Sequence, residues 1–328
     1  MKKFVKKMLV LLLVTVLLLP LLAACAGKKP RVLIYTSMED YRIEYLNARL
    51  REVFPDYNVT VEYLPTGNHA ARLLAEGAYT DADISYNLEY SYLEKLDVAG
   101  LLADLSDYDK SGYVPDAVAK GNYLPQERNG GAILVNTEVL ASRGLAMPTS
   151  YADLLRPEYR GLISMPDPKA SGTGYMFLLS LVNAWGEDEA FAYFDALTPN
   201  VLQYTSSGAG PLGALLEGEV AIGLGMLAPA VTQIAEGAPI EILFFEEGAP
   251  YSLYGQAMVK GKETRAEVRE VFDWLVNTFT VENCERFFPE PIYENKSFTV
   301  EGYPEGILYA DMSDDAAKKT RLLDKWAY

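Results

Sequence analysis

Residues 32–63 read VLIYTSMEDYRIEYLNARLREVFPDYNVTVEY, and this one run sets the architectural expectation. Val32–Thr36 is a short β-rich segment, and Ser37 follows it at once. Ile43, Leu46, Leu50, Val53 and Phe54 then recur at helical spacing with charged residues between them. That predicts an amphipathic helix with Ser37 as its N-cap and Asp40 as a weaker form of the capping-box acid. Val59–Tyr63 reads as a second strand. Strand, helix and strand at this interval are a βαβ unit, which implies a mainly parallel sheet covered by helices.

Outward from this unit the alternation continues. Residues 65–69 (PTGNH) form a loop leading into a helix that ends near Gly77, and Asp83–Tyr86 is a third strand followed by a short helix over Tyr90–Leu96. Gly131–Asn136 is another apolar strand, and from there the pattern restarts. Strands are expected at Leu162–Met165, Val201–Tyr204, Val220–Gly223, Glu241–Phe245 and Gln256–Val259, with helices between them. The remainder, Arg265–Thr278, Val281–Phe287 and Ala316–Trp326, reads as helical. Two α/β blocks joined near Asn136 and again near Gly255 make the second an insertion in the first. Lobe 1 is thus expected over residues 31–135 and 256–328, and lobe 2 over 136–255. Open α/β sheets bind ligands beyond the carboxyl ends of their strands, so two facing lobes make a cleft.

The amino end has a different character. Lys2, Lys3, Lys6 and Lys7 precede an apolar run from Met8 to Ala24 that only Thr15 relieves. A basic start, an apolar stretch and small residues are the layout of an export signal. A membrane-spanning anchor is the competing reading, but Pro20 interrupts the run near its end. Leu22-Ala23-Ala24-Cys25 closes it and resembles the lipobox of bacterial lipoproteins. This similarity implies a signal peptide at residues 1–24, lipidation of Cys25, a short tether at 25–30 and an anchored body outside the cytoplasmic membrane. Cleavage there leaves 304 of the 328 residues and, by removing four lysines, takes the formal charge from −16 to −20.

Composition excludes several function classes. Half the residues are hydrophobic, ample for a core. An excess of 45 acidic over 29 basic residues argues against nucleic acid as a partner. With one histidine (His69) and two cysteines (Cys25, Cys284), there is no zinc framework and no disulfide scaffold. An enzyme is disfavoured: there is no Gly-x-Ser-x-Gly elbow, and general-base schemes have one histidine to draw on. No cofactor motif is present. Residues 171–174 lack the Gly-Lys-Ser/Thr ending of a Walker loop.

Three segments share one design, a strand running through hydroxyl or glycine residues into a helix. They are Thr36-Ser37-Met38, residues 166–175 (PDPKASGTGY) and residues 204–211 (YTSSGAGP). Unpaired N–H groups and a partial positive charge at a helix start attract anions. Any one such segment is ordinarily a plain cap or turn; three distributed over both lobes point to a site.

Lipobox, VLIYTS, PDPKASGTGY and residues 215–226 (LLEGEVAIGLGM) together resemble bacterial ABC-importer solute-binding proteins. The similar branch includes ferric-iron, polyamine, thiamine, 2-aminoethylphosphonate and sugar-phosphate binders. The resemblance implies a two-lobed α/β periplasmic-binding-protein fold of type II that closes on a small solute. It also implies a monomer that passes this solute to a permease and its ATPase. Ligand contacts are implied at Ser37, Ser171, Gly172, Thr173, Ser206, Ser207 and Gly208, and further out at Asn68, His69 and Tyr175. Glu246 is a candidate partner for a cationic end of the ligand, as is Glu89. Ferric binders of this branch present paired tyrosines after the Gly-Glu strand, where this chain reads GLGMLAP (223–229). The missing pair weakens the iron alternative, although Tyr35, Tyr86, Tyr90, Tyr92, Tyr251 and Tyr254 remain as phenolic candidates. Hydroxyl-furnished helix starts suit a phosphate or phosphonate better. A surface receptor that signals instead of transporting fits the same residues.

Overall fold

The structure, a computed structural model, describes residues 29–328. The expected signal peptide and Cys25 lie outside the described residues. Among those described, no helix is long and apolar enough to cross a membrane.

The opening βαβ unit forms as the periodicity predicts: β1 (Arg31–Thr36), α1 (Asp40–Val53) and β2 (Asn58–Tyr63), with β1 and β2 parallel. Then come α2 (Thr66–Glu76), β3 (Ile84–Glu89) and α3 (Tyr90–Val98), with β3 parallel to β1 on its other side. Side chains of β1 alternate between two cores, as strand geometry requires. Val32 and Ile34 pack with Leu46, Leu50 and Phe272, while Leu33 and Tyr35 pack with Leu73, Leu88 and Leu93. Helices thus cover both faces of the first lobe. Each fully buried aliphatic side chain contributes about 1.5–3 kcal/mol of transfer free energy.

The second lobe repeats the scheme. It holds α4 (Thr137–Ser142), β5 (Ile163–Pro166), α5 (Gly172–Trp185), α6 (Glu187–Leu197), β6 (Val201–Thr205), α7 (Gly210–Leu216), β7 (Ile222–Met226), α8 (Leu227–Ala235) and β8 (Ile240–Leu243). The strands β7, β5 and β6 are parallel neighbours.

Two strands cross between the lobes. β4 (Leu124–Asn136) is antiparallel to β9 (Tyr251–Met258) over its first half and to β7 and β8 over its second. β9 in turn pairs with β3. The lobe junctions therefore fall inside strands. Sequence reading places only Gly131–Asn136 in a strand and assigns residues 124–130 (LPQERNG) to no element, their polarity breaking the apolar pattern. In fact Gln126, Glu127, Arg128 and Asn129 are each no more than 4% exposed. Burial of charge on this scale requires partners, and Arg42 supplies one: its guanidinium pairs with Glu127 and Glu39 and donates to Asn283. At the partner switch stand Gly130 and Gly131. A Cβ on Gly130 would press on the Glu290 carboxylate, whose Oε1 accepts from the Gly130 N–H at 3.1 Å, and one on Gly131 would strike Met176 and Phe177.

After β9 the chain returns to the first lobe as α9 (Ala266–Trp274) and α10 (Thr280–Arg286), joined by a π-turn at Leu275–Phe279. The last helix does not stay there, contrary to the expectation for 256–328. In α11 (Ala316–Lys325) and just beyond, Leu322 and Trp326 enter the second-lobe core beside Phe194 and Tyr204. Nothing in the amphipathic pattern of α11 distinguishes which lobe it covers.

Candidate functional site: the interlobe cleft

A cavity of about 240 Å³ opens between the lobes on one side of the crossing strands. Seven of the sequence-nominated residues line it: Ser37 from the end of β1, Ser171, Gly172 and Thr173 at the start of α5, and Ser206, Ser207 and Gly208 from the β6–α7 turn. They converge because β1, β5 and β6 all point their carboxyl ends into the cleft.

The start of α5 is the best-defined element of the site. Ser171 takes the N-cap position with extended backbone, yet its side chain makes no capping bond. The first-turn N–H groups at Gly172–Gly174 have no acceptor within the helix. Ser171 and Thr173 are 7% and 5% exposed. Gly208 leaves the room: a Cβ there would collide with Thr173 Oγ1 and approach Met226 Sδ to 2.9 Å.

Ser37 is not an N-cap. α1 begins three residues later behind Glu39, with no side-chain cap. The Ser37 hydroxyl is instead hydrogen-bonded to His69 Nδ1 at 2.9 Å, and His69 Nε2 to Ser85 Oγ at 3.0 Å. His69 is fully buried, and desolvation lowers its pKa to about 3, so the ring is neutral and fixes the Ser37 rotamer from behind. It does not line the cleft. Nor do the other outlying nominations. Asn68 and Glu246 are exposed side chains away from the cavity, and Tyr175 faces the opposite side of the molecule. Helical rotation explains this: Thr66 takes the cleft position at the start of α2, and on α5 Tyr175 lies past the turn that carries Gly172 and Thr173.

From the central strands, sequence reading nominates Tyr254 but neither Asn129 nor Asn87. Asn129 on β4, Asn87 on β3 and Tyr254 on β9 line the cleft floor. Asn87 holds φ at +58°, a left-handed conformation asparagine tolerates, at an irregularity in the β3–β9 register. Its amide donates to Gln126 at 2.6 Å. The Asn129 Oδ1 atom is buried with no hydrogen-bond partner. Such an atom carries a desolvation cost of about 1–3 kcal/mol. Burial holds the Tyr254 phenol well above its ordinary pKa. Of the six tyrosines nominated from the sequence, only Tyr254 lines this cavity, joined by Tyr63.

Charge at the rim is acidic. Glu39 and Asp40 are the charged side chains among the lining residues, and no lysine or arginine accompanies them. The site therefore offers backbone N–H groups, hydroxyls and amides to one part of a solute and carboxylate acceptors to another.

The family model for bacterial extracellular solute-binding proteins matches residues 88–319. The chain belongs to this family. Its members are extracytoplasmic components that bind small solutes and deliver them to ABC permeases. An uncharacterized protein of Haemophilus influenzae is 30% identical over 77% of this chain and 74% of its own. The fold is shared with the periplasmic binding protein AfuA of Actinobacillus pleuropneumoniae, solved with fructose-6-phosphate bound. That structure is 24% identical, with a TM-score of 0.80 over 91% of this chain and 98% of that one. It is also shared with iron-bound HitA of Pseudomonas aeruginosa, 18% identical with a TM-score of 0.73 over 90% and 98%. The two-lobed type II architecture expected from the sequence is thus shown.

Proposed function

We propose that this solute-binding protein captures a small phosphorylated or phosphonate solute in the interlobe cleft and hands it to an ABC permease without chemical turnover. One observation carries the reading. Ser171, Gly172 and Thr173, at the N-terminus of a 14-residue helix, face Ser37 and the Ser206–Gly208 turn across a cavity sized for a small molecule. Helix-start N–H groups and hydroxyls hold a phosphoryl group without a formal cation. Glu39 and Asp40 then suit hydroxyl or ammonium donors on the rest of the solute, and Asn129 Oδ1 gains the donor it lacks. The fructose-6-phosphate complex on the same fold accords with this chemistry.

A ferric ligand, the alternative, gains less. Hard phenolate donors are required, and burial disfavours ionisation of Tyr254. In the body that follows the expected lipidated Cys25, the protein works as a tethered monomer.

The test is native mass spectrometry of freshly purified protein followed by a thermal-shift screen. Phosphorylated or phosphonate solutes should raise the melting temperature as they saturate the site. The reading fails if they do nothing while ferric ion produces a visible charge-transfer colour.

A further inference from the structure

Buried polar groups flank the crossing strands on both sides. To the rear lies a cavity of about 650 Å³ lined by carboxylates and tyrosines. Strand alternation turns Arg128 to that side, where it pairs with Asp116 and stacks on Tyr251, while Asn129 faces the front cleft. Charges at the rear pair within the chain. Lys319 of α11, 1% exposed, donates to Glu89 Oε2 at 2.5 Å and to Ser91 Oγ, and Tyr175 donates to Asp314 at 2.9 Å.

At the front, three groups run from the sheet interior to the cleft wall. Ser85 Oγ is 3.0 Å from His69 Nε2, and His69 Nδ1 is 2.9 Å from Ser37 Oγ, which lines the cleft. The imidazole is buried between two hydroxyls and is neutral, so one ring nitrogen donates and the other accepts. That leaves two directions for the series. In one, Ser37 gives its proton to Nδ1, and Nε2–H is donated to Ser85. In the other, Ser85 gives its proton to Nε2, Nδ1–H is donated to Ser37, and the Ser37 proton stays free.

The surroundings of Ser85 choose between them. Its side chain is fully buried in mid-sheet, in register with Tyr35 of β1 and Ala257 of β9, both members of one apolar core. Its hydroxyl has one hydrogen-bond partner among the described residues, His69 Nε2. If Ser85 accepted from the ring, its own proton would be buried without an acceptor. If it donates, only lone pairs go unused, and buried oxygens tolerate that better than a stranded donor. Tyr35 also packs edge-on against the imidazole, with centroids 6.1 Å apart, and helps to fix the ring.

We propose that Ser85 and His69 are positioning residues for the cleft: Ser85 holds His69 in the Nδ1–H tautomer, and His69 thereby leaves Ser37 with a proton to donate to the solute. In the opposite tautomer that proton is consumed inside the protein, and Ser37 offers lone pairs alone, a poor match for a phosphoryl oxygen. The assignment rests on the proposed function in taking Ser37 to touch an acceptor oxygen of the solute, from the lobe opposite the α5 start. The tautomer itself is a property of the free protein.

His69 is the only histidine in the chain, so a long-range proton–nitrogen correlation spectrum of the full ¹⁵N-labelled chain reads the ring without ambiguity. A protonated, pyrrole-type Nδ1 and a pyridine-type Nε2 are expected at neutral pH. Ser85→Ala, outside the cleft lining, should turn this single-tautomer pattern into an averaged one with the melting curve nearly unchanged. Ser37→Ala should weaken fructose-6-phosphate binding about tenfold, the loss expected for one hydrogen bond to a charged group. An Nε2–H tautomer or a doubly protonated ring in the wild-type spectrum overturns the proposal. So does a Ser85→Ala spectrum identical to wild type, which means that Ser85 does not set the tautomer, or full affinity in Ser37→Ala. If no phosphorylated solute binds the wild-type protein, the proposed function fails, while the spectra of the free protein still decide the tautomer.

Discussion

Arg128 and Asn129 are consecutive residues of one strand, yet they face opposite chemistries. Forward lies a cleft built from backbone N–H groups, hydroxyls and amides at the ends of parallel strands. Behind lies a cavity of carboxylates and tyrosines in which the chain's own lysine is already bound. The difference follows from how each face is made. The front gathers helix starts, whose partial charges come with the backbone and need no titratable side chain. The rear gathers α3, the crossing strands and the terminal segment, and its electrostatics rest on side chains that pair or titrate. A front face furnished with uncharged donors and a rear face held by charge pairing are thus separable by mutation.

The largest effect is expected at the rear. Lys319→Met strands the buried Glu89 carboxylate, and losing one partner of a buried pair costs about 3–5 kcal/mol. Chemical denaturation should register this, and adding Glu89→Gln should recover part of it. Burial pushes the Glu89 carboxyl up, but Lys319 and the Ser91 bonds outweigh it and leave it below the ordinary range. The pair's stabilisation is therefore present above the ordinary glutamate pKa and disappears as pH falls below it.

His69, behind the front cleft, gives the next effect. Its folded pKa of about 3 lies below the ordinary 6.5. The unfolded ring takes up a proton that the folded ring refuses, so stability is fullest above pH 6.5 and declines as pH drops. At pH 5 the loss is about 2 kcal/mol, and melting curves of His69→Gln should lack that component.

Smaller still is Asn129→Ala, which removes an acceptor from the cleft floor. About tenfold weaker solute binding is expected, equivalent to about 1.4 kcal/mol, with apo stability preserved or slightly raised because an unsatisfied atom is gone. At the bottom of the range, Asn68→Ala and Glu246→Gln should leave both binding and stability within about 0.5 kcal/mol of wild type. A substantial binding loss in either would return those exposed positions to the site.

How much of this was legible in the sequence follows the same divide. The front cleft was largely readable because strand, hydroxyl or glycine, then helix is a local pattern, and Ser37, Ser171–Thr173 and Ser206–Gly208 each carry it within a few residues. The floor was not. Asn129 and Glu127 sit in a polar stretch that the apolar pattern does not mark as a strand, and the tertiary partners Arg42 and Asn283 make burial of that stretch possible. Position on a helix misled in the same way: His69 and Tyr175 are near cleft residues in sequence but rotated away from them. The destination of α11 was illegible because an amphipathic stripe says that a helix is covered, not by which lobe. Trp326 decides it through long-range packing.

Calorimetric titration with a matched pair of solutes, a small phosphorylated sugar and its unphosphorylated parent, tests the central claim most directly. Wild-type protein should bind the phosphorylated member saturably and the parent at least a hundredfold more weakly, and Ser171→Ala/Thr173→Ala should abolish the preference while melting like wild type. Equal affinity for both members, or a preference that survives the double substitution, would contradict the account.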